Sequence, residues 1–285
     1  MEALTECPAV VESTATPEPN DSIVNWPVKR SIFGLLVSPT TYDEAVESIM
    51  TAAERRTPAV VSCHAVHALM TFSSDQELCS LANSFEMITP DGQPVRWALN
   101  LLHGTRLKGR VYGPELTLRL CQAAELREVP IYLYGGSPSV VEQLVQNLSS
   151  KFPGLTIAGY ESPPYRELSD QEVGEVCDRI NQSGAGLVFI GLGCPKQDIF
   201  AHRIREQVNA VQVCVGAAFD FHAGAKSIAP SWMQKTGLEW LYRLIKEPRR
   251  LWKRYFVTNS LYLWKLSLSL LNVPNVIRQR AKRSA

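Results

Sequence analysis

The chain contains no C-x-x-C pair, and its cysteines are odd in number, seven, at 7, 63, 79, 121, 177, 194 and 214, none at ligand-like spacing from the five histidines. That argues against a zinc site and a disulfide framework and fits reduced thiols in a cytosolic compartment. The opening residues (MEALTECPAVVESTATPEPND) lack the basic and apolar regions of a signal peptide and are rich in Pro, Thr and Glu. They read as a disordered tail spanning 1–29. No transmembrane helix is predicted, because Asn259 and Lys265 interrupt any span of about 20 apolar residues. Nothing repeats at a fixed period, and beyond the tail no segment is of low complexity. The dinucleotide fingerprint G-x-G-x-x-G is also incomplete, since Lys196 stands at its sixth position, so NAD is not favoured.

What is present is an alternation of strands and helices centred on Gly186 to Gln197, GLVFIGLGCPKQ. Leu187, Val188, Phe189 and Ile190 have no polar face, so this strand belongs inside a sheet covered on both sides. Gly191 and Gly193 open the turn that follows, and Pro195 suits the first position of a helix running to about Gln207. Backbone amides and a positive helix N-terminus converge there beside Lys196 and Gln197, which suits an anionic, phosphorylated ligand. A tight turn with no ligand accounts for the same glycines. Gly135 and Gly136, followed by Ser137 as N-cap and Pro138 as first residue, form a second turn of this kind.

Around that centre, strands are expected at Arg30–Ser38, Ala59–Ser62, Phe85–Thr89, Pro130–Tyr134, Leu155–Gly159 and Val211–Val215. Thr41 with Glu44 and Ser169 with Glu172 read as capping boxes. The expected fold is α/β, a Rossmann-like, mostly parallel sheet with helices on both faces over 30–236. A helical appendage, basic and aromatic, follows over 237–285, with a helical pair at Pro230–Tyr242 and a longer helix from Pro248 to Pro274.

Charge is divided along the chain. From Arg243 onward there are eleven Lys/Arg against the single acid Glu247, a local +10 that leaves −9 for the rest of a chain whose net charge is +1. An acidic body with a basic end implies an anionic partner, nucleic acid or membrane. The aromatic and Leu-rich face of the last helix suits a membrane surface, its own core or a second subunit in a homo-oligomer.

Candidate chemical groups lie at strand ends. Asp91 in Pro-Asp-Gly fits a turn former as well as a base, and the same competition holds for Asp220 in GAAFDFHAG. Glu239, between apolar residues, reads as a buried partner for an arginine. Cys194 reads as a small turn filler, and His64 and His222 as structural.

The runs Thr89-Pro-Asp-Gly92, Arg110-Val-Tyr-Gly-Pro-Glu115, Tyr134-Gly-Gly-Ser137, Phe189 to Gln197, Val215-Gly-Ala-Ala-Phe-Asp220, Gly237-Leu-Glu-Trp-Leu-Tyr-Arg243 and Glu247-Pro-Arg-Arg250 together resemble the WecG/TagA/CpsF family of glycosyltransferases, family 26, over about Ile32 to Tyr255. The resemblance implies transfer of a sugar, with inversion, from a UDP-sugar to a saccharide carried on polyprenyl diphosphate at the inner face of the cytoplasmic membrane, in cell-surface or exopolysaccharide synthesis. It implies no metal and no cofactor, in keeping with the lack of a D-x-D-like motif. By position Asp91 matches the family's general base. Ser62, placed with it as catalytic, keeps the hydroxyl of a threonine common in the family, while His64 departs from a common asparagine. Arg110 and Gln197 match residues near the donor, and the expected donor set adds Gly135, Gly136, Gly191, Gly193, Lys196, Gly216, Phe219 and Asp220. Arg243, Arg250 and Lys253 match basic residues that meet diphosphate, and Arg249 and Arg254 join them in the expected acceptor and membrane set. A peripheral membrane enzyme without a nucleic-acid partner is the expectation. The alternative is a non-catalytic protein, either a nucleotide- or nucleic-acid-binding module or a scaffold for polysaccharide assembly.

Overall fold

A computed structural model of the protein describes residues 24–283, with side chains through residue 271. The tail expected over 1–29 lies outside the described residues as far as residue 23. Residues 24–29 pack on the body: Val24 and Trp26 lie against the core, and Ser48 donates to the Asn25 carbonyl at 2.8 Å.

The first expected strand is instead a hairpin, β1 (Arg30–Ile32) and β2 (Leu35–Val37), paired only with each other. Phe33 and Gly34 both take positive φ, 55° and 94°, which closes a two-residue loop and turns the chain back. The strands that follow join one parallel sheet: β3 (Ala59–His64), β4 (Met87–Pro90), β5 (Ile131–Gly135), β6 (Ile157–Glu161), β7 (Leu187–Gly191) and β8 (Val211–Cys214). Their order is β4-β3-β8-β7-β5-β6, so the apolar β7 is interior, as its lack of a polar face requires. Edge strand β6 begins two residues later than expected and carries Glu161, which pairs with Arg179 at 2.8 Å.

Alternate strand residues feed two cores. Val61, Met87, Leu133, Phe189 and Val213 face α1 (Tyr42–Glu54), α5 (Gly113–Leu126), α6 (Pro138–Lys151) and α9 (Ala218–His222). Val60, Ile88, Tyr134, Val188 and Cys214 face α2 (Val66–Ser73), α3 (Gln76–Asn83), α4 (Gln93–His103), α7 (Asp170–Gln182) and α8 (Lys196–Ile204). This period of two, with both faces covered, is the expected Rossmann-like layering. Both expected capping boxes form, at Thr41 and Ser169, and Ser137 caps α6. Helix α8 starts one residue later than expected, with Pro195 in the N-cap position.

The last elements are α10 (Ser231–Thr236), α11 (Glu239–Lys246) and α12 (Pro248–Arg283). Helix α12 continues past Pro274, the expected stop, because one proline weakens a helix without ending it. It lies on α2 and α4: Leu251 and Tyr262 are buried, the Tyr262 hydroxyl donates to the Pro94 carbonyl at 2.6 Å, and Lys265 Nζ reaches the Ser73 carbonyl at 3.2 Å.

Candidate active site

In a parallel sheet every strand ends on the same side, and the crevice beyond those ends is the natural ligand site. Here a cleft of about 1990 Å³ opens there, bounded by the ends of β4, β5, β7 and β8 and closed opposite by α2, α11 and α12.

The sheet-side wall is made of turns. Gly193 has φ of 80°, and its N–H donates to Gln197 Oε1 at 3.2 Å while its carbonyl accepts from the Gln197 N–H at 2.9 Å. Gly136, Gly191, Gly193, Lys196, Gln197 and Gly216 line the cleft, beside the N-terminus of α8. Gly135 and Phe219 do not line it but stand behind it. A Cβ on Gly135 would lie 2.7 Å from the Gly191 carbonyl carbon, and one on Gly191 would lie 2.7 Å from the Phe219 ring. Gly135 thus lets β5 close on β7 where the turns begin, and Gly191 makes room for the Phe219 ring. Lys196 Nζ lies 4.8 Å from the centre of the exposed Tyr165 ring at the rim. Cys194 is not a reactive thiol, because burial pushes its pKa up to about 12.

Asp91 follows β4 directly and sits between the two walls. Its Oδ2 accepts the Gly113 N–H at 2.8 Å, and its own N–H donates to the His64 and Thr89 carbonyls at 3.3 and 3.0 Å. Gly113 leaves the carboxylate its place: a Cβ there would stand 3.0 Å from Oδ2. Burial raises the Asp91 pKa above the ordinary 3.8, against the pull of Arg110 and the Gly113 amide. A more basic carboxylate suits proton abstraction. Two other acids that line the cleft, Glu239 and Asp220, are held in ion pairs. Glu239 is buried and takes Arg110 Nη2 at 2.6 Å and the Tyr112 hydroxyl at 2.8 Å, the arginine partnership expected from its apolar neighbours. Asp220 pairs with Lys226 at 2.6 Å. Arg110 lies over the Tyr112 ring at 4.1 Å; burial works against its charge, and Asp91 and Glu239 more than offset that.

Ser62 is not brought to the cleft. It is fully buried on β3, where its hydroxyl donates to Asp198 Oδ1 at 2.5 Å, and His64 Nε2 meets the same oxygen at 3.1 Å. The sequence offers no signal for Asp198, since an acid in the first turn of a helix is ordinary.

The opposite wall is cationic. Arg243, Arg250 and Arg254 line the cleft, whereas Arg249 and Lys253 do not. Residues 250 and 254 are one helical turn apart on α12 and share a face; 249 and 253 share the next face round, toward solvent. Among the described residues neither Arg243 nor Arg254 has a carboxylate partner: Arg243 lies 5.4 Å from the Phe221 ring centre, and Arg254 Nε is buried without a hydrogen bond. Burial lowers the Arg254 pKa, and the neighbouring Arg243 and Arg250 charges add to that. His67 on α2 also faces this region, its pKa pushed down to about 4 by burial and by Arg254. Such a cluster is complementary to phosphate.

Among the described residues no three His, Cys, Asp or Glu are grouped to hold a metal ion, and no helix is long and apolar enough to cross a membrane. The outer side of α11 and α12 exposes Ile245, Trp252, Phe256 and Trp264 among its basic residues.

Two curated relatives share this chain's pattern. An N-acetylglucosaminyldiphosphoundecaprenol N-acetyl-beta-D-mannosaminyltransferase of Bacillus subtilis (strain 168) is 33% identical over 202 residues, 70% of this chain and 76% of the relative. A protein of the same name from Bacillus spizizenii (strain ATCC 23059 / NRRL B-14472 / W23) is 35% identical over 176 residues, 61% of this chain and 66% of the relative. The cleft at the strand ends, its Asp91 and its turn and arginine walls all fall within residues 30–275, the span matched by the family model, and the chain is a glycosyltransferase that belongs to the WecG/TagA/CpsF family.

Proposed function

We propose that the enzyme transfers a hexose or N-acetylhexosamine from a UDP-sugar to a saccharide linked to polyprenyl diphosphate, with inversion and without a metal, at the inner face of the cytoplasmic membrane. The observation that carries this reading is Asp91: a carboxylate of raised basicity, without a direct ion pair among the described residues, set between a wall of backbone amides and a wall of arginines.

The turns at Gly136 and Gly193, at the N-termini of α6 and α8, are suited to the donor diphosphate, because helix N-termini and unblocked amides favour anions. Arg243, Arg250 and Arg254 are suited to a second anion, the acceptor's diphosphate, or to the charge on departing UDP. Asp91 takes the proton of the acceptor hydroxyl as that oxygen bonds to the anomeric carbon. The bond from that carbon to the UDP oxygen breaks on the opposite face, and UDP carries the electron pair away. The names of the two Bacillus relatives favour undecaprenyl-diphosphate-linked N-acetylglucosamine as acceptor and N-acetylmannosamine as the transferred sugar. The exposed aromatic and basic side of α12 suits an interfacial helix on anionic lipid, where such an acceptor resides.

The reading is tested with a panel of UDP-sugars and a short-chain polyprenyl-diphosphate-N-acetylglucosamine acceptor, following UDP release with and without EDTA. Release with one donor, dependent on acceptor and unchanged by EDTA, is expected. Folded protein that releases no UDP with any donor overturns the reading, and loss of release in EDTA overturns its metal independence.

A further inference from the structure

None of Ser62, His64 and Asp198 lines the cleft, yet their network joins the parts that must act together. Asp198 lies in the first turn of α8, directly after the Gly193–Gln197 turn, and its Oδ1 accepts from Ser62 and His64 on β3 at 2.5 and 3.1 Å. For both contacts to be hydrogen bonds, His64 carries its proton on Nε2. The Phe72 ring, 4.9 Å away, packs on the imidazole. The His64 carbonyl in turn accepts the N–H of Asp91 at 3.3 Å. An unbroken path thus runs from the donor-side helix, across β3, to the backbone of the base.

Stability alone is a poor reason for this arrangement. All three residues are fully buried, and among the described residues Asp198 Oδ2 and His64 Nδ1 have no hydrogen-bond partner. Buried polar atoms without partners cost free energy that a packed apolar trio avoids. A rigid link does have a use in the reaction: when reacting atoms must meet within about 3–3.5 Å, a misplacement of about 1 Å costs about 10²-fold in rate.

We infer that Asp198 is a positioning residue for sugar transfer, locking the donor turn and the Asp91 loop in one register so that base, acceptor hydroxyl and anomeric carbon align. This rests on Asp91 being the base. The test compares Asp198→Ala, Asp198→Asn and Ser62→Ala with wild type and Asp91→Asn in kcat, donor KM, UDP affinity by calorimetry and thermal unfolding, using the donor that the panel selects. Asp198→Ala is expected to lower kcat by about 10²-fold, with donor KM and UDP affinity within about threefold of wild type. Asp198→Asn, whose amide oxygen still accepts both hydrogen bonds, is expected to recover most of that loss. Ser62→Ala should lose less, and the Ser62→Ala/Asp198→Ala pair no more than Asp198→Ala alone, because the two share one contact. An unchanged kcat in folded Asp198→Ala, or in Ser62→Ala where the former does not fold, overturns the inference. So does a parallel loss of UDP affinity and kcat, which is what simple collapse of the turn produces. Full activity in Asp91→Asn overturns the base assignment instead, so the two failures are distinct.

Discussion

The two walls of the cleft are suited to anions by different means. On the sheet side the chain offers backbone: turns without side chains, backed by the interlocked Gly135, Gly191 and Phe219 and buried on both faces of the sheet. On the helical side it offers long guanidinium side chains, two of them without a carboxylate partner among the described residues, on α11 and α12. A backbone wall is set by packing and reads shape; at Gly135 and Gly191 it leaves no room for an added atom. A side-chain wall reads charge at the expense of stability, because Arg254 is held among like charges with its Nε unsatisfied. Substitutions on the first wall should therefore damage fold and function together, and on the second they should separate them.

The largest effect is expected at the seam. Asp91→Asn should lower kcat by about 10³-fold, the scale of general-base catalysis, while UDP affinity stays within about twofold. Its stability should respond less to pH. The folded pKa of Asp91 is raised, so its contribution is full below the ordinary 3.8 and is lost as pH rises through the folded value. An asparagine never ionises, so the variant's melting temperature should fall less than that of wild type as pH rises from 3.8. An equally steep fall would mean that Asp91 does not carry it.

On the backbone wall, Gly191→Ala places a methyl group 2.7 Å from the Phe219 ring and should cost about 1–3 kcal/mol of stability along with most of the activity. Urea melts beside turnover read both, and a stable but inactive variant would contradict the coupling expected there. On the charged wall, Arg254→Met keeps the stem and removes an unpaired buried charge. It should raise the melting temperature by about 2 °C while raising acceptor KM about tenfold. Loss of stability instead would mean that the arginine is paired in solution.

The smallest effect concerns His67. Burial, with Arg254, holds its folded pKa at about 4, below the ordinary 6.5. The stability tied to its neutral ring is present above about 6.5 and is lost as pH falls toward 4. Melting temperature should decline over that window, less so in His67→Gln, and equal slopes would place the decline elsewhere.

The interior position of β7 was legible because an apolar run without a polar face has only one place in a sheet. The helix starts at Thr41, Ser137 and Ser169 were legible because capping is local chemistry. The Phe33-Gly34 hairpin was not, since phenylalanine at positive φ is no turn signal. Asp91, Arg110 and the glycine turns could be named from motif order. Which arginines of α12 face the cleft depends on how that helix is rotated against α2 and α4, a matter of Leu251 and Tyr262 packing rather than of composition. The link from Ser62 to Asp198 spans 136 residues of chain, and nothing local announces it.

The mechanism has one consequence that its alternatives lack. On the proposed mechanism Asp91 serves as base in a single displacement, with Asp220 and Glu239 held in ion pairs, so the anomeric centre should invert. The one-bond carbon–proton NMR coupling at the anomeric centre of the product, made from an α-linked UDP-sugar, reads this directly, for manno-configured sugars as well. A β-linked product is the expected result, and an α-linked product would contradict the mechanism.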